Sequence, residues 1–209
     1  MMARLVSRYI NVGQSCVNAK RFIVEDAVAD EFVAAFTAAA AALKVGDPTD
    51  PEPSDRWPAP TSATPCTTRS GAPSTQVPSL ALGGEVPDGP GCYYPPTVLD
   101  HVRPGMAAFD EETFGPVAVT RAADADEAIA LANRTEHSLG AALWTSDLAR
   151  ARRLTRVLDA GTVFVNGMVA SDPRPPFGGI KKSGYGRELG AEGIREFVNT
   201  KTVWIGPAL

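Results

Sequence analysis

Cys16 is the side chain of this sequence best suited to covalent chemistry. It lies in Asn11-Val-Gly-Gln-Ser-Cys16-Val-Asn-Ala-Lys-Arg21, among small and polar neighbours, just before an apolar run. That places the thiol on a connection rather than in a core. Backbone N–H groups at such a turn can stabilise a thiolate and an oxyanion. Read alone, a lone cysteine is more often a small buried hydrophobe. A second cluster is Phe109-Asp-Glu-Glu112-Thr-Phe114-Gly-Pro116-Val117. On their own, Glu112 reads as a solvated acid and Phe114 as ordinary core. Near the C-terminus, Arg174 stands before Phe177, with Ser171 three residues earlier. On its own, Arg174 reads as a surface charge. Gly178, Gly179, Gly184 and Gly186 read as backbone turns. His101 and His137 are isolated and read as surface or satisfied histidines. Cys16, Cys66 and Cys92 form no CxxC pair, so no zinc spacing exists and no metal is expected.

These groups need elements to hold them. KRFIVED (20–26) reads as a short buried strand. Val28, Phe32, Phe36, Ala39 and Leu43 then recur at helical spacing, with Asp26 as the cap. Gly46 and Asp47-Pro48 end that helix. YPPTVL (94–99) reads as a strand entered through prolines. Asp124 opens a helix over 127–133. A strand ends at Leu143-Trp144, and Thr145 or Ser146 caps a helix with a buried stripe of Leu148, Ala151, Leu154 and Leu158. GTVFVNG (161–167) reads as a strand, Ile194, Phe197 and Val198 as a short helix, and TKTVWI (200–205) as a last strand. Strands alternating with helices predict an α/β fold with a largely parallel sheet and flanking helices.

The 209 residues suffice for one core, with 44% hydrophobic residues. A net charge of −4 and scattered Lys and Arg argue against a nucleic-acid partner. No apolar run approaches the ~18 residues of a membrane span. The N-terminus has no secretory pattern, and three cysteines without pairing suit a reducing, cytoplasmic setting.

The segment GQSCVNAKR resembles the catalytic-cysteine motif of the aldehyde dehydrogenase superfamily. Residues 111–117 resemble its E-E-x-F-G-P-V motif. Phe164-Val-Asn166-Gly167 and the run from Pro176 to Glu188 resemble its C-terminal motifs, in the same order and rough spacing. The resemblance implies that Cys16 attacks an aldehyde carbonyl to give a thiohemiacetal. It implies NAD or NADP as hydride acceptor and a thioester that water releases as the acid. It implies that Glu112 accepts hydrogen bonds from the nicotinamide ribose, that Phe114 lies beside that ribose, and that Phe177 lines the substrate tunnel. Residues 171–189 look most like the branch that oxidises succinate semialdehyde. A distal carboxylate there needs a cation, with Arg174 the nearest candidate and Ser171 a weaker one. Some enzymes of that branch carry arginine six residues before the cysteine; Ile10 stands there.

Members of this family carry a further amino-terminal half. It supplies most of the dinucleotide fold, the helix under the pyrophosphate, the side-chain oxyanion amide and the glutamate base, and the full-length enzymes form homo-oligomers. None of those parts is expected within residues 1–209, so these residues alone are not expected to bind the dinucleotide usefully or to turn over. Two other classes remain open. One is a structural or oligomerisation remnant. The other is an unrelated cysteine hydrolase, which needs His101 or His137 beside Cys16.

One stretch contradicts its surroundings. Residues 53–79 are rich in Pro, Ser and Thr and carry no apolar period, which fits a disordered insertion. An alternative comes from back-translating Trp57 to Val77 with codons mostly ending in G or C. One frame over, it reads ARADLRDALHDQVRRAVDAG, with Leu and Val four apart as a helix stripe requires. That string also resembles the helix the family carries there. Resequencing the gene tests this hypothesis of paired indels: the expected result is a frame error at both ends. An unambiguous in-frame Pro-rich coding sequence in close relatives ends it.

Overall fold

The computed structural model describes residues 1–45, 56–57, 78–85, 87–88, 93–115 and 117–208. In chain order its strands are β1 (Arg21–Glu25), β2 (Lys44–Val45), β3 (Arg56–Trp57), β4 (Ser79–Leu82), β5 (Val98–Asp100), β6 (Val117–Ala122), β7 (His137–Ser138), β8 (Gly140–Leu143), β9 (Thr162–Val165) and β10 (Ile180–Lys181). The helices are α1 (Met2–Tyr9), α2 (Asp26–Ala41), α3 (Ala107–Asp110), α4 (Ala125–Asn133), α5 (Leu148–Leu154) and α6 (Gly190–Arg195). The main sheet has the order β1-β6-β5-β4, parallel except for β4. A parallel pair β8-β9 and an antiparallel pair β10-β7 stand apart from it. The expected α/β class with a largely parallel sheet holds.

Several local expectations need correction. Asp26 is the first residue of α2, and the extended Glu25 precedes it as cap; the Asp26 carboxylate instead faces the positive helix end. Asp147, not Thr145 or Ser146, caps α5 by accepting from the Arg150 N–H. The strand expected over 94–99 shrinks to Val98–Asp100, because Pro95 and Pro96 offer no N–H to a ladder. TKTVWI forms no strand: no described segment pairs with it, and a strand cannot satisfy its backbone alone. Helix α1 is an element the sequence reading missed. The ending of α2 at Gly46 and most of 53–79 lie outside the described residues.

The core lies between α1, α2 and the sheet. Phe36 is fully buried and meets Tyr9, Phe22 and Phe32, with ring centroids 5.0–6.1 Å apart. Burial raises the Tyr9 hydroxyl well above its ordinary pKa. Alanine at eight of the sixteen positions favours α2 as helix, and Phe22, Phe36, Ala40, Val98 and Val119 close the layer. Asp100, buried at the end of β5, receives Arg121 at 3.2 and 2.7 Å, and Arg121 also reaches Asp30 of α2 at 2.6 Å. Sheet and helix are thus pinned at one end.

A buried cation positions the rest. Leu5, Arg8 and Tyr9 share the buried face of α1. The Arg8 guanidinium donates to Gly115 O at 2.9 and 2.6 Å, to Ala19 O at 3.1 Å and to Thr113 O at 3.4 Å. Asn18 Nδ2 returns two bonds, to Arg8 O at 3.0 Å and Ile10 O at 2.8 Å. Gly13, with φ +72°, packs against Gly115; a Cβ there would stand 3.2 Å from Gly115 O. Arg8→Met leaves these carbonyls without charged donors. It is expected to cost on the order of 3 kcal/mol, read as a lower denaturant midpoint at unchanged slope.

Candidate functional site

The segment between α1 and β1 turns sharply. Asn11 and Val12 hold φ of 50° and 61°. The left-handed region is costly for a β-branched residue, and such strain persists only where surroundings impose it. Here the imposing contacts are Asn18 on Ile10 O and Gly13 against Gly115. The chain then makes a turn in which Asn18 N–H donates to Ser15 O at 3.0 Å, and Cys16 sits exposed on that turn. Among the described residues, the Cys16 N–H has no acceptor. The thiol is on a connection, as its neighbours implied.

Cys16 opens onto a cleft of about 1050 Å³. Glu112, Phe114 and His137 line the same cleft. Arg8 explains this grouping, because it clamps Thr113 and Gly115 to Ala19, three residues past the thiol. Glu112 is exposed, and His137 Nε2 stands 3.8 Å from its Oε2. His137 therefore belongs to the site and not to an unrelated surface. A fixed backbone holds it: its N–H donates to Thr135 Oγ1, and Lys181 pairs with it across β7-β10.

The other candidates stand elsewhere. Phe177 is buried and bridges Glu188 through 2.7 Å bonds in both directions, outside the lining of the cleft. Arg174 and Ser171 are exposed and also outside it. The Arg174 side chain, 86% exposed, forks onto Asp172 at 2.8 and 2.5 Å and holds that carboxyl far below its usual range. Of the four glycines read as turns, Gly184 has positive φ (103°), whereas Gly178 is required by close approach: a Cβ there would meet Gly186 O at 2.4 Å. His101 pairs with Asp100, away from the thiol. Cys66 and Cys92 lie outside the described residues. Among the described residues no three His, Cys, Asp or Glu gather as metal ligands, and no helix is long and apolar enough to cross a membrane.

Arg8 and Asn18 are positioning residues that the sequence reading missed, and His137, read there as a surface or satisfied histidine, stands in the cleft beside Glu112. The spacing Leu5, Arg8, Tyr9 placed Arg8 on the apolar face of a helix, which was the available signal. Asn166 shows what its motif does: with φ 54°, its amide brackets Thr145, accepting from N–H at 2.9 Å and donating to C=O at 2.8 Å. It locks the exit of β8 to the exit of β9.

Comparison with known proteins agrees with this arrangement. The model of the aldehyde dehydrogenase family matches residues 1–203. The succinate-semialdehyde dehydrogenase [NADP(+)] 1 of Mycobacterium tuberculosis is 49% identical over 96% of this chain. The succinic semialdehyde dehydrogenase of Streptococcus pyogenes, solved with NADP+, superposes with a TM-score of 0.86 at 33% identity over 99% of this chain. The lactaldehyde dehydrogenase of Escherichia coli superposes at 0.88, with 30% identity over 98%. The chain spans 44%, 46% and 43% of those three proteins. Fold, motif order and clustered motif loops therefore place this chain in the aldehyde dehydrogenase family.

Proposed function

We propose that these residues form the thiol-bearing part of an NAD(P)-dependent succinate-semialdehyde dehydrogenase, with Cys16 as nucleophile. The observation that carries the reading is the shared cleft of Cys16, Glu112 and Phe114. In the proposed reaction the Cys16 thiolate adds to the aldehyde carbonyl, and its own N–H, without an acceptor among the described residues, donates to the resulting oxyanion. Glu112 lines the cleft, and its ionic neighbour among the described residues is His137, 3.8 Å from Oε2. That geometry fits the paired hydroxyls of a ribose, with Phe114 beside it. NAD(P)+, when bound, supplies the hydride acceptor. Cys16 holds the acyl group until water releases the acid.

Phe177 lies behind the site rather than in its lining, so its part in a substrate tunnel is indirect: it holds the loop 170–176 through Glu188. Arg174 and Ser171 stand in that loop. Arg174 serves a distal carboxylate only by exchanging Asp172 for it, which its exposure permits. The family resemblance and the NADP(+)-dependent relatives support the cofactor and substrate assignment.

A second reading keeps fold and assembly but not chemistry. The exposed Phe197, Trp204 and Ile205 favour it, at 90%, 89% and 87% exposure. In that case Cys16 is an ordinary surface thiol.

Two experiments test these proposals. The purified chain, given NAD or NADP and succinate semialdehyde, is expected to make no reduced cofactor. With 4-nitrophenyl acetate it is expected to acylate slowly, and Cys16→Ser abolishes this. Robust reduction of NAD(P) by the chain alone refutes the need for further parts, and an inert thiol favours the second reading. For the substrate, residues 1–209 are joined to the amino-terminal part of the Mycobacterium tuberculosis relative. There, Arg174→Ala is expected to lower the preference for succinate semialdehyde over butanal about tenfold, roughly 1.4 kcal/mol. An unchanged preference removes Arg174 from the assignment.

A further inference from the structure

The backbone beside Glu112 is fixed, but its side chain is not. The Arg8 clamp acts just past it, at Thr113 and Gly115, while the Glu112 side chain is left 49% exposed. A glutamate that swings freely loses rotamer freedom when a ligand immobilises it, and that loss weakens binding. Something that orients the carboxylate beforehand removes part of the cost.

The group that meets it comes from an independently fixed element. His137 opens β7, and three bonds hold its surroundings. Its own N–H donates to Thr135 Oγ1 at 3.2 Å, Lys182 N–H donates to Glu136 O at 2.9 Å, and Ser138 N–H donates to Ser183 Oγ at 2.9 Å. Lys181 stands opposite His137 in the β7-β10 pairing. The neighbouring charges are already engaged. Lys182 Nζ holds Glu136 at 2.5 Å and keeps that carboxyl below its ordinary range. Lys181 Nζ reaches Asp159 at 3.3 Å and Asn133 O at 2.9 Å. The imidazole Nε2 is directed instead to Glu112 Oε2, at 3.8 Å. That separation is an ionic contact, longer than a hydrogen bond. A half-exposed pair of this kind adds little to folding stability. What it supplies is orientation within the cleft that both residues line.

We infer that His137 is a positioning residue for the proposed dinucleotide site: its Nε2–H steers the Glu112 carboxylate, which meets the ribose hydroxyls already oriented. The inference rests on the ribose role proposed for Glu112. A carboxylate oxygen accepts from more than one donor, so an imidazole at Oε2 leaves Oε1 and part of Oε2 for the ribose. Displacement of water on binding strengthens the pair. Nε2–H is a donor in one neutral tautomer as well as in the cation, so the role needs a donor rather than a charge. A glutamine amide can substitute for it; an alanine methyl cannot.

Two measurements test this. The first uses the chain alone, treated with diethyl pyrocarbonate and read by peptide mass mapping. A nearby carboxylate favours the protonated imidazole, which does not react, so Glu112→Gln is expected to quicken acylation of His137 about twofold or more. His101, paired with Asp100, is expected to keep its rate. An unchanged His137 rate overturns the inference. The second uses residues 1–209 joined to the amino-terminal part of the Mycobacterium tuberculosis relative, with NADP+ binding followed by calorimetry. His137→Ala is expected to raise Kd about fivefold with kcat changed less than about twofold, and His137→Gln to bring Kd back within about twofold. Glu112→Gln is expected to raise Kd at least as much, and His137→Ala to add nothing in that background. A Kd that ignores His137→Ala, that His137→Gln fails to restore, or that His137→Ala still raises beside Glu112→Gln overturns the inference. If Glu112→Gln weakens binding and His137→Ala does not, the ribose role stands and only His137 is withdrawn. If Glu112→Gln leaves Kd unchanged, the ribose role falls and takes this inference with it.

Discussion

A single buried guanidinium sets the geometry on which everything near the thiol depends. Arg8 has almost no solvent exposure, and its donors end on carbonyls from two distant loops. Burying a charge is costly unless it is fully hydrogen-bonded. Three carbonyl acceptors at Gly115, Ala19 and Thr113 meet that requirement, and in doing so they fix the distance between the Cys16 turn and the Glu112 loop. A neutral side chain of the same length would pack but would not impose that register. The same logic explains the paired glycines: Gly13 and Gly115 let the two backbones approach until Arg8 reaches both.

Around that clamp the molecule divides into parts of unequal completeness. The layer of α1, α2 and the main sheet has an aromatic core and a pinned edge at Asp100-Arg121-Asp30. The β8-β9 pair with α5 is held to it by few contacts. Asn133 of α4 bonds the α5–β9 connection, donating to Val157 O and accepting from Asp159 N–H, each at 2.8 Å, and among the contacts across the cleft are Arg150-Glu25 and the stacking of Arg4 on Trp144, at 4.7 Å. Both are partly exposed, and such pairs contribute little free energy each. The two walls are therefore positioned more than they are bonded.

The sequence was most legible where local chemistry decides. Asp124 as cap of α4, the strand over Arg21–Glu25 and the strand over Thr162–Val165 follow from side-chain capping and β-branched runs. It was less legible where partners decide. TKTVWI has the composition of a strand and, among the described residues, no neighbour that pairs with it. Leu148, Leu154 and Leu158 have helical spacing, yet Ala151 alone of that stripe is buried. The helical period was read correctly, but among the described residues Leu154 and Leu158 are only partly covered and Leu148 is exposed. Within the site, motif spacing located Cys16, Glu112 and Phe114, which do share a cleft. It did not locate Arg8, because the helix Met2–Tyr9, on whose apolar face Arg8 falls, was itself not read from the sequence. Nor could spacing foresee that Arg174 would spend its charge on Asp172, two residues away.

This division bears on what the thiol can do. Stabilising an oxyanion with backbone N–H groups depends on a site from which water is excluded, since the same dipoles are heavily screened when solvated. The cleft beside Cys16 is open along the length of β1 and β8, so its dipoles face water. The register between Cys16 and Glu112 is thus set by this chain's own clamp at Arg8, whereas the dielectric around the thiol is set by how much water the cleft admits.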